Sequence, residues 1–162
     1  MNAAAKTSCQ VIEKALGSSH AFKKVDDGLY VVKQGTCLIM VSVIPWPPER
    51  AVVRLVAQLV KGVTMEVPLA LQLLEMNGSL RFGAFAFVPA SDVILFSHTL
   101  LGGKTLDPVE LITTISDVAI IADEYDDRIA ARYGGSTMQD LLEESVIEHF
   151  RAAPDQKDHF KS

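Results

Sequence analysis

The chain is predicted to adopt an α+β fold, a mainly antiparallel sheet of about five to six strands flanked by helices. Three observations point there. Short, β-branched or apolar runs follow one another with Asp27-Gly28 and Gln34-Gly35 between them, and Asp-Gly between apolar runs is a strong hairpin signal. A second pair of strand-like runs lies between Arg81 and Leu100. Helical periods before, between and after these runs give the order α-β-β-β-β-α-β-β-α-α, without the strict βαβ alternation of a parallel sheet.

Each element has its own reason. Residues 2–17 space Ala5, Cys9, Ile12 and Leu16 as an amphipathic helix, and Gly17 stops it. AFKKV, LYVVK and TCLIMVSVI then form an antiparallel meander. In PWPP, Pro45 to Pro48, three residues lack a backbone donor, so this segment is expected to end the third strand. From Ala51 to Val60, Arg54 and Gln58 alternate with Val53, Leu55, Ala57 and Leu59, which favours a fourth strand over a helix of similar residues.

A helix over 64–77 is expected to bury Val67, Leu71 and Leu74, and less regularly Ala70 and Leu73, with Pro68 in its first turn and Asn77-Gly78 at its end. The runs Arg81 to Phe87 and Asp92 to Leu100 are joined by Val88-Pro89-Ala90-Ser91, which suits a hairpin. Asp107-Pro108-Val109-Glu110 opens the longest helix, 108–133, with an N-cap, a proline at the first position and an acid at the third. Leu111, Ile115, Val118, Ala119, Ala122 and Ile129 make its buried stripe, and Glu124, Asp127 and Arg128 face outward. Gly134-Gly135 ends it. Ser136 and Gln139 form a capping-box pattern for a last helix whose apolar face is Met138, Leu141, Leu142, Val146 and Phe150. One domain over 1–153 with a polar tail, 154–162, is the expected organisation.

The strands carry a further message. Thr36 to Ile44 is apolar on both faces, and Arg81 to Val88 sets Phe82, Ala84 and Ala86 against Phe85 and Phe87. A sheet solvated on one side shows a polar alternate face. Helices cover one face, so the long helix or a second copy of the chain is expected to cover part of the other.

Composition narrows the function. A length of 162 residues with 49% apolar residues supports a substantial core. The formal net charge of −5, with no basic cluster longer than Lys23-Lys24, argues against a nucleic-acid partner. No apolar run has membrane-spanning length, because Arg54, Lys61 and Glu66 interrupt the longest candidate, and no membrane association is expected. The N-terminus lacks the basic start and continuous apolar stretch of a signal peptide. Cys9 and Cys37 are expected to be free thiols in a reducing, cytoplasmic compartment.

The remaining polar residues form no catalytic or metal-binding pattern. Gly102-Gly103-Lys104-Thr105 shares letters with the end of a phosphate-binding loop, but that loop needs glycine where His98 stands, and Asp107 caps the helix later. It reads as a turn. Ser97 and His98 are strand neighbours that point to opposite faces, so adjacency makes no hydrolytic pair. His20, His149 and His159 have no ligand spacing. Asp123, Glu124, Asp126 and Asp127 offer too few oxygens on one straight helix for a tight cation site and read as a solvated face. Trp46, held in PWPP, either folds onto the core, the ordinary outcome, or stands out as a binding anchor. No catalytic residue, cofactor or metal is expected.

Residues 71–132 carry a resemblance. LQLLEMNGSLRFGAFAF followed by HTLLGGKTLDPVELITTISDVAIIADEYDDRI resembles the YbjN family, whose fold is that of the type III secretion chaperones. The likeness is sharpest at Asn77, Phe82-Gly83, His98-Thr99-Leu100 and Leu106-Asp107-Pro108. A helix after Gly135 is similar to members from cyanobacteria and plastids. The resemblance implies an antiparallel sheet flanked by helices in a homodimer, with apolar patches that hold an extended client segment. It implies no catalytic residue.

Together these readings predict a cytoplasmic, dimeric, non-enzymatic protein-binding module. Its acidic balance suggests a basic or amphipathic client, and its patch is expected around Ile44, Trp46, Phe85 and Phe87. A regulatory or assembly adaptor that docks one folded partner is the alternative, and a hydrolase using His98 with a serine is a third.

Overall fold

A computed structural model describes residues 1–142 and builds them on one antiparallel sheet. The chain runs α1 (Ala3–Leu16), β1 (Phe22–Asp26), β2 (Leu29–Gln34), β3 (Cys37–Trp46), β4 (Arg50–Lys61), α2 (Val67–Ser79), β5 (Ala84–Val88), β6 (Val93–Leu101), a short 3-10 turn (Gly103–Thr105), α3 (Pro108–Tyr133) and β7 (Ser136–Thr137). The strands lie in the order β1-β2-β3-β4-β6-β5, and β7 pairs with the end of β4 beyond the start of β3. The predicted α+β order is observed, with β7 as a seventh strand among the described residues.

Local chemistry sets the element ends. Asn2 accepts the Ala5 N–H at the start of α1, and Asp107 accepts the N–H groups of Val109 and Glu110 at 2.7 and 2.9 Å at the start of α3. Pro108 follows that cap directly, where its missing N–H costs nothing. Gly134, at φ +80, turns the chain out of α3.

β3 extends two residues further than expected, because Pro45 pairs with Ala51 and Trp46 with Arg50. The proline is tolerated for a directional reason. Val43 donates to Gly28 in the β1–β2 turn, so Pro45, on the same side of β3, points beyond the end of β2 where no acceptor awaits an N–H. Ala51 in turn directs its carbonyl to Gly102 at 2.9 Å, away from Pro45. β5 begins three residues later than expected, since Gly83, at φ +66, breaks the strand and leaves Phe82 outside it.

The last helix also starts later. Ser136 and Thr137 are held in the ladder by Lys61 and Val60, so the reciprocal cap falls on Thr137 and Asp140 rather than Ser136 and Gln139. Residues 138–142 are helical. Val146, Phe150 and the expected polar tail lie outside the described residues.

α1 and α3 pack on the same face of the sheet. Ile12, Leu16, Leu111, Ile115 and Val118 meet Ile39, Val41, Val53, Leu55 and Phe96 in one continuous cluster. The predicted stripe of α3 is buried throughout, whereas in α1 Ser8 takes the inward place expected of Cys9. Ser8 is nonetheless satisfied, donating to Ala4 O at 3.0 Å and accepting the Gly103 N–H at 2.7 Å. This ties the glycine turn to α1. A side chain at Gly102 would meet Ser8 Oγ at 2.6 Å and Ala51 O at 2.9 Å, which explains glycine there.

α2 runs beside the edge strand β5 and is apolar nearly all round. It buries Leu69 and Leu73, leaving Val67, Leu71 and Leu74 outward at 71%, 60% and 66% exposure. The expected inward face is therefore the outward one. In VPLALQLL the apolar period does not choose a side, and contact with β5 decides.

Candidate binding surface

Alternation along the central strands separates a helix-covered face from an open one. On β3, residues Cys37, Ile39, Val41 and Val43 are buried, while Leu38, Met40, Ser42 and Ile44 are half-buried or exposed. On β4, Val53, Leu55 and Ala57 are buried, and Val52, Arg54, Val56 and Gln58 take the other side. Antiparallel register lines these open-face residues into rows. One row is Val31, Met40, Val56, Ser97 and Ala84; a second is Leu29, Ser42, Arg54 and Thr99; a third is Ile44, Val52 and Leu101. Two of the three rows are mainly apolar, and neither α1 nor α3 covers them.

The four residues expected to form the patch divide between the two faces. Ile44 lies in the third row, and Trp46, 51% exposed, ends the same face of β3. Trp46 thus stands out rather than folding onto the core. Phe85 is a correction: it is only 5% exposed, pairs with Phe96 and lies beneath α3 with its ring 5.3 Å from that of Tyr125. Phe87 pairs with Ile94 and shares that covered side, so Ala84 and Ala86 are what β5 presents to the open face. Met40, Val56 and Leu101 were not singled out by the sequence, where one strand's alternation does not reveal which neighbours share a row.

A cavity of about 480 Å³ lies at the Trp46 end of the sheet, and its lining takes Trp46, Arg50 and Leu101 from the open-face side and Ala51 and the first turn of α1 from the other. Trp46, Ala51 and Leu101 line it with the small residues Ala3, Ala4 and Gly102, and Arg50, Lys104 and Glu49 stand at its rim. Gly103–Thr105 is a 3-10 turn tied to Ser8, as expected of a turn rather than a phosphate loop.

The other polar residues have structural partners. Ser97 pairs opposite Val56 on the open face, whereas His98 pairs opposite Leu55 on the helix side and sits edge-on to Phe82 at 5.2 Å. Asp123 accepts the Thr36 hydroxyl at 2.9 Å, and Glu124 pairs with Arg128 at 3.4 Å. Burial, outweighing nearby backbone donors, holds the Asp126 carboxyl above its ordinary range. Among the described residues no group of three His, Cys, Asp or Glu is placed to hold a metal ion. Both cysteines are free; Cys37 is buried against the Ala119 carbonyl, and burial pushes its thiol pKa up. No helix among the described residues is long and apolar enough to cross a membrane.

A family model described as "T3SS (YopN, CesT) and YbjN peptide-binding chaperone 1" matches residues 7–141, from within α1 through β7. A comparison with curated proteins gives no match.

Proposed function

Since the chain belongs to the T3SS (YopN, CesT) and YbjN peptide-binding chaperone family, we propose that it is a cytoplasmic, non-enzymatic chaperone-like homodimer. It holds an extended segment of a client protein on the open face of its sheet. The face itself carries the reading: Val31, Met40, Val56, Ile44, Val52 and Leu101 form apolar rows that no helix among the described residues covers. Fully burying one such side chain stabilises by about 1.5–3 kcal/mol, and these start partly buried, so each adds roughly 1 kcal/mol. Several together suffice for reversible capture of a peptide.

A different surface supports the dimer. Val67, Leu71 and Leu74 follow one another at helical spacing on the outer side of α2, where Glu75, one turn beyond Leu71, is the single charge of the helix. Two copies packing these stripes together would bury them without occluding the sheet. Sedimentation velocity tests this arm: a dimer is expected, and Leu71→Glu is expected to yield a folded monomer. A wild-type monomer at tens of micromolar removes the dimer from the proposal.

Suppression of aggregation of an unfolding client tests the sheet. Val56→Asp is expected to abolish the suppression while leaving the circular dichroism spectrum unchanged, and full retained suppression would move the client site elsewhere. Binding of a single folded partner in fixed stoichiometry, without holding of unfolded clients, would favour the adaptor reading instead.

A further inference from the structure

The net charge of −5 is not spread evenly over the molecule. α3 carries Glu110, Asp117, Asp123, Glu124, Asp126 and Asp127 against Arg128 and Arg132. The open sheet face has the opposite balance. Lys23 pairs with Val31, Lys33 with Leu38, and Arg54 lies between the two apolar rows, opposite Ser42 and Thr99. An acid on this side, Asp26, sits at the β1–β2 turn and accepts the Asp27 N–H at 2.7 Å. At the Trp46 cavity, Arg50 and Lys104 outnumber Glu49. An acidic protein thus presents a basic binding face.

We infer that the open face selects an acidic amphipathic segment, one whose bulky apolar side chain enters the Trp46 cavity and whose carboxylates meet Arg54 and the Arg50–Lys104 rim. The inference rests on the peptide-binding reading above and names its ligand class, contrary to the basic client that net charge alone suggests. Register supplies the spacing. Adjacent rows on one face are two residues apart, about 6.8 Å, in client and sheet alike. A client strand aligned with β4 that places an apolar residue over Val52 and Leu101, one row in from Trp46, therefore brings its second following residue to Arg54. Its fourth following residue reaches Met40 and Val56. The pattern is apolar–x–acid–x–apolar. The cavity, at about 480 Å³, has room for a phenylalanine or leucine side chain, and burying that side chain supplies most of the affinity. The exposed ion pairs contribute less individually and act mainly as discriminators.

The chain has a single tryptophan, so Trp46 emission reads the cavity directly. Two blocked peptides serve as probes, ESFSESLSE and its cationic counterpart KSFSKSLSK, titrated into the full chain while emission is followed. The acidic peptide is expected to shift Trp46 emission and to bind about tenfold more tightly than the cationic one, with the preference fading at high salt. The double variant Arg54→Glu/Lys104→Glu, both positions exposed, is expected to reverse the preference. Equal or tighter binding of the cationic peptide, still abolished by Val56→Asp, overturns the charge inference but leaves the peptide-binding reading intact. Acidic-peptide binding that leaves Trp46 emission unchanged overturns the cavity's role. If neither peptide binds and client holding is also absent, both fall together. A Trp46 shift that depends on protein concentration alone assigns the cavity to a second copy and overturns the proposal.

Discussion

Asn77, near the end of α2, occupies the place of a missing strand partner for Phe85. Its side-chain nitrogen donates to the Phe85 carbonyl at 3.0 Å, and its oxygen accepts the Phe85 N–H at 2.7 Å. A primary amide has the donor and acceptor geometry of a peptide group, so one side chain satisfies both outward backbone groups of an edge-strand residue. The β5 edge is closed there to another strand. At the other edge, β1 is blunted differently, by Lys23, Lys24 and an irregular register between Lys24 and Asp26.

Replacing Asn77 tests that closure. Asn77→Ala removes two hydrogen bonds at once and is expected to cost about 1–3 kcal/mol in urea denaturation. Asn77→Asp keeps an acceptor but loses the donor and places a carboxylate against the Phe85 carbonyl, so it is expected to be at least as destabilising as alanine. Wild-type midpoints for both variants would show that the amide does not hold β5.

Phe85 and Trp46, two of the three aromatic residues expected in one patch, are predicted to behave oppositely. Phe85→Ala empties a site between Phe96 and Tyr125 and is expected to cost about 3–5 kcal/mol. Trp46→Ala, on the surface, is expected to change stability by roughly 0.5 kcal/mol or less while weakening client binding. Paired thermal melts and binding titrations check both, and comparable destabilisation by the two would contradict the burial difference.

Gly102→Ala carries a steric prediction. The added carbon has no room between Ser8 Oγ and the Ala51 carbonyl, both backbone-anchored neighbours, so a loss of about 2 kcal/mol is expected from chemical denaturation. Gly35→Ala offers a contrast: open space surrounds that position, and its cost is limited to backbone strain at φ +60.

Glu13 makes stability pH-dependent. Its carboxylate is held below the ordinary range by Lys24 at 3.1 Å, then by the buried Tyr30 hydroxyl at 2.9 Å. A lowered folded pKa means stability that is fully present above the ordinary glutamate range and is lost as pH falls through the folded value. Glu13→Gln is therefore expected to cost about 0.5–1 kcal/mol at pH 7, a discounted figure for a partly exposed ion pair. The gap from wild type is expected to close in acid; a constant gap from pH 7 to pH 3 would assign the effect to packing.

Much of the fold is legible because local rules agree with one another. Asp107-Pro108 starts α3, Gly134 ends it, and every residue of its expected apolar stripe is buried, with Thr114 added to that face. The site is less legible. The two-sided apolar character of β3 announces a surface to be covered, yet alternation does not say that α1 and α3 share one side. The same gap misled the reading of Phe85: its strand is too short and too apolar for its period to distinguish covered from open.

The sequence by itself determined the element order, the Asp107 cap of α3 and the turn at Gly102-Gly103. These depend on interactions within a few residues, which residue type and spacing encode directly. Tertiary structure alone decided which sheet face stays open, that α2 turns Leu71 outward, and that basic residues gather on the open face of an acidic chain. Those outcomes follow from cross-strand register and from which helix reaches a face, and both join residues far apart in sequence.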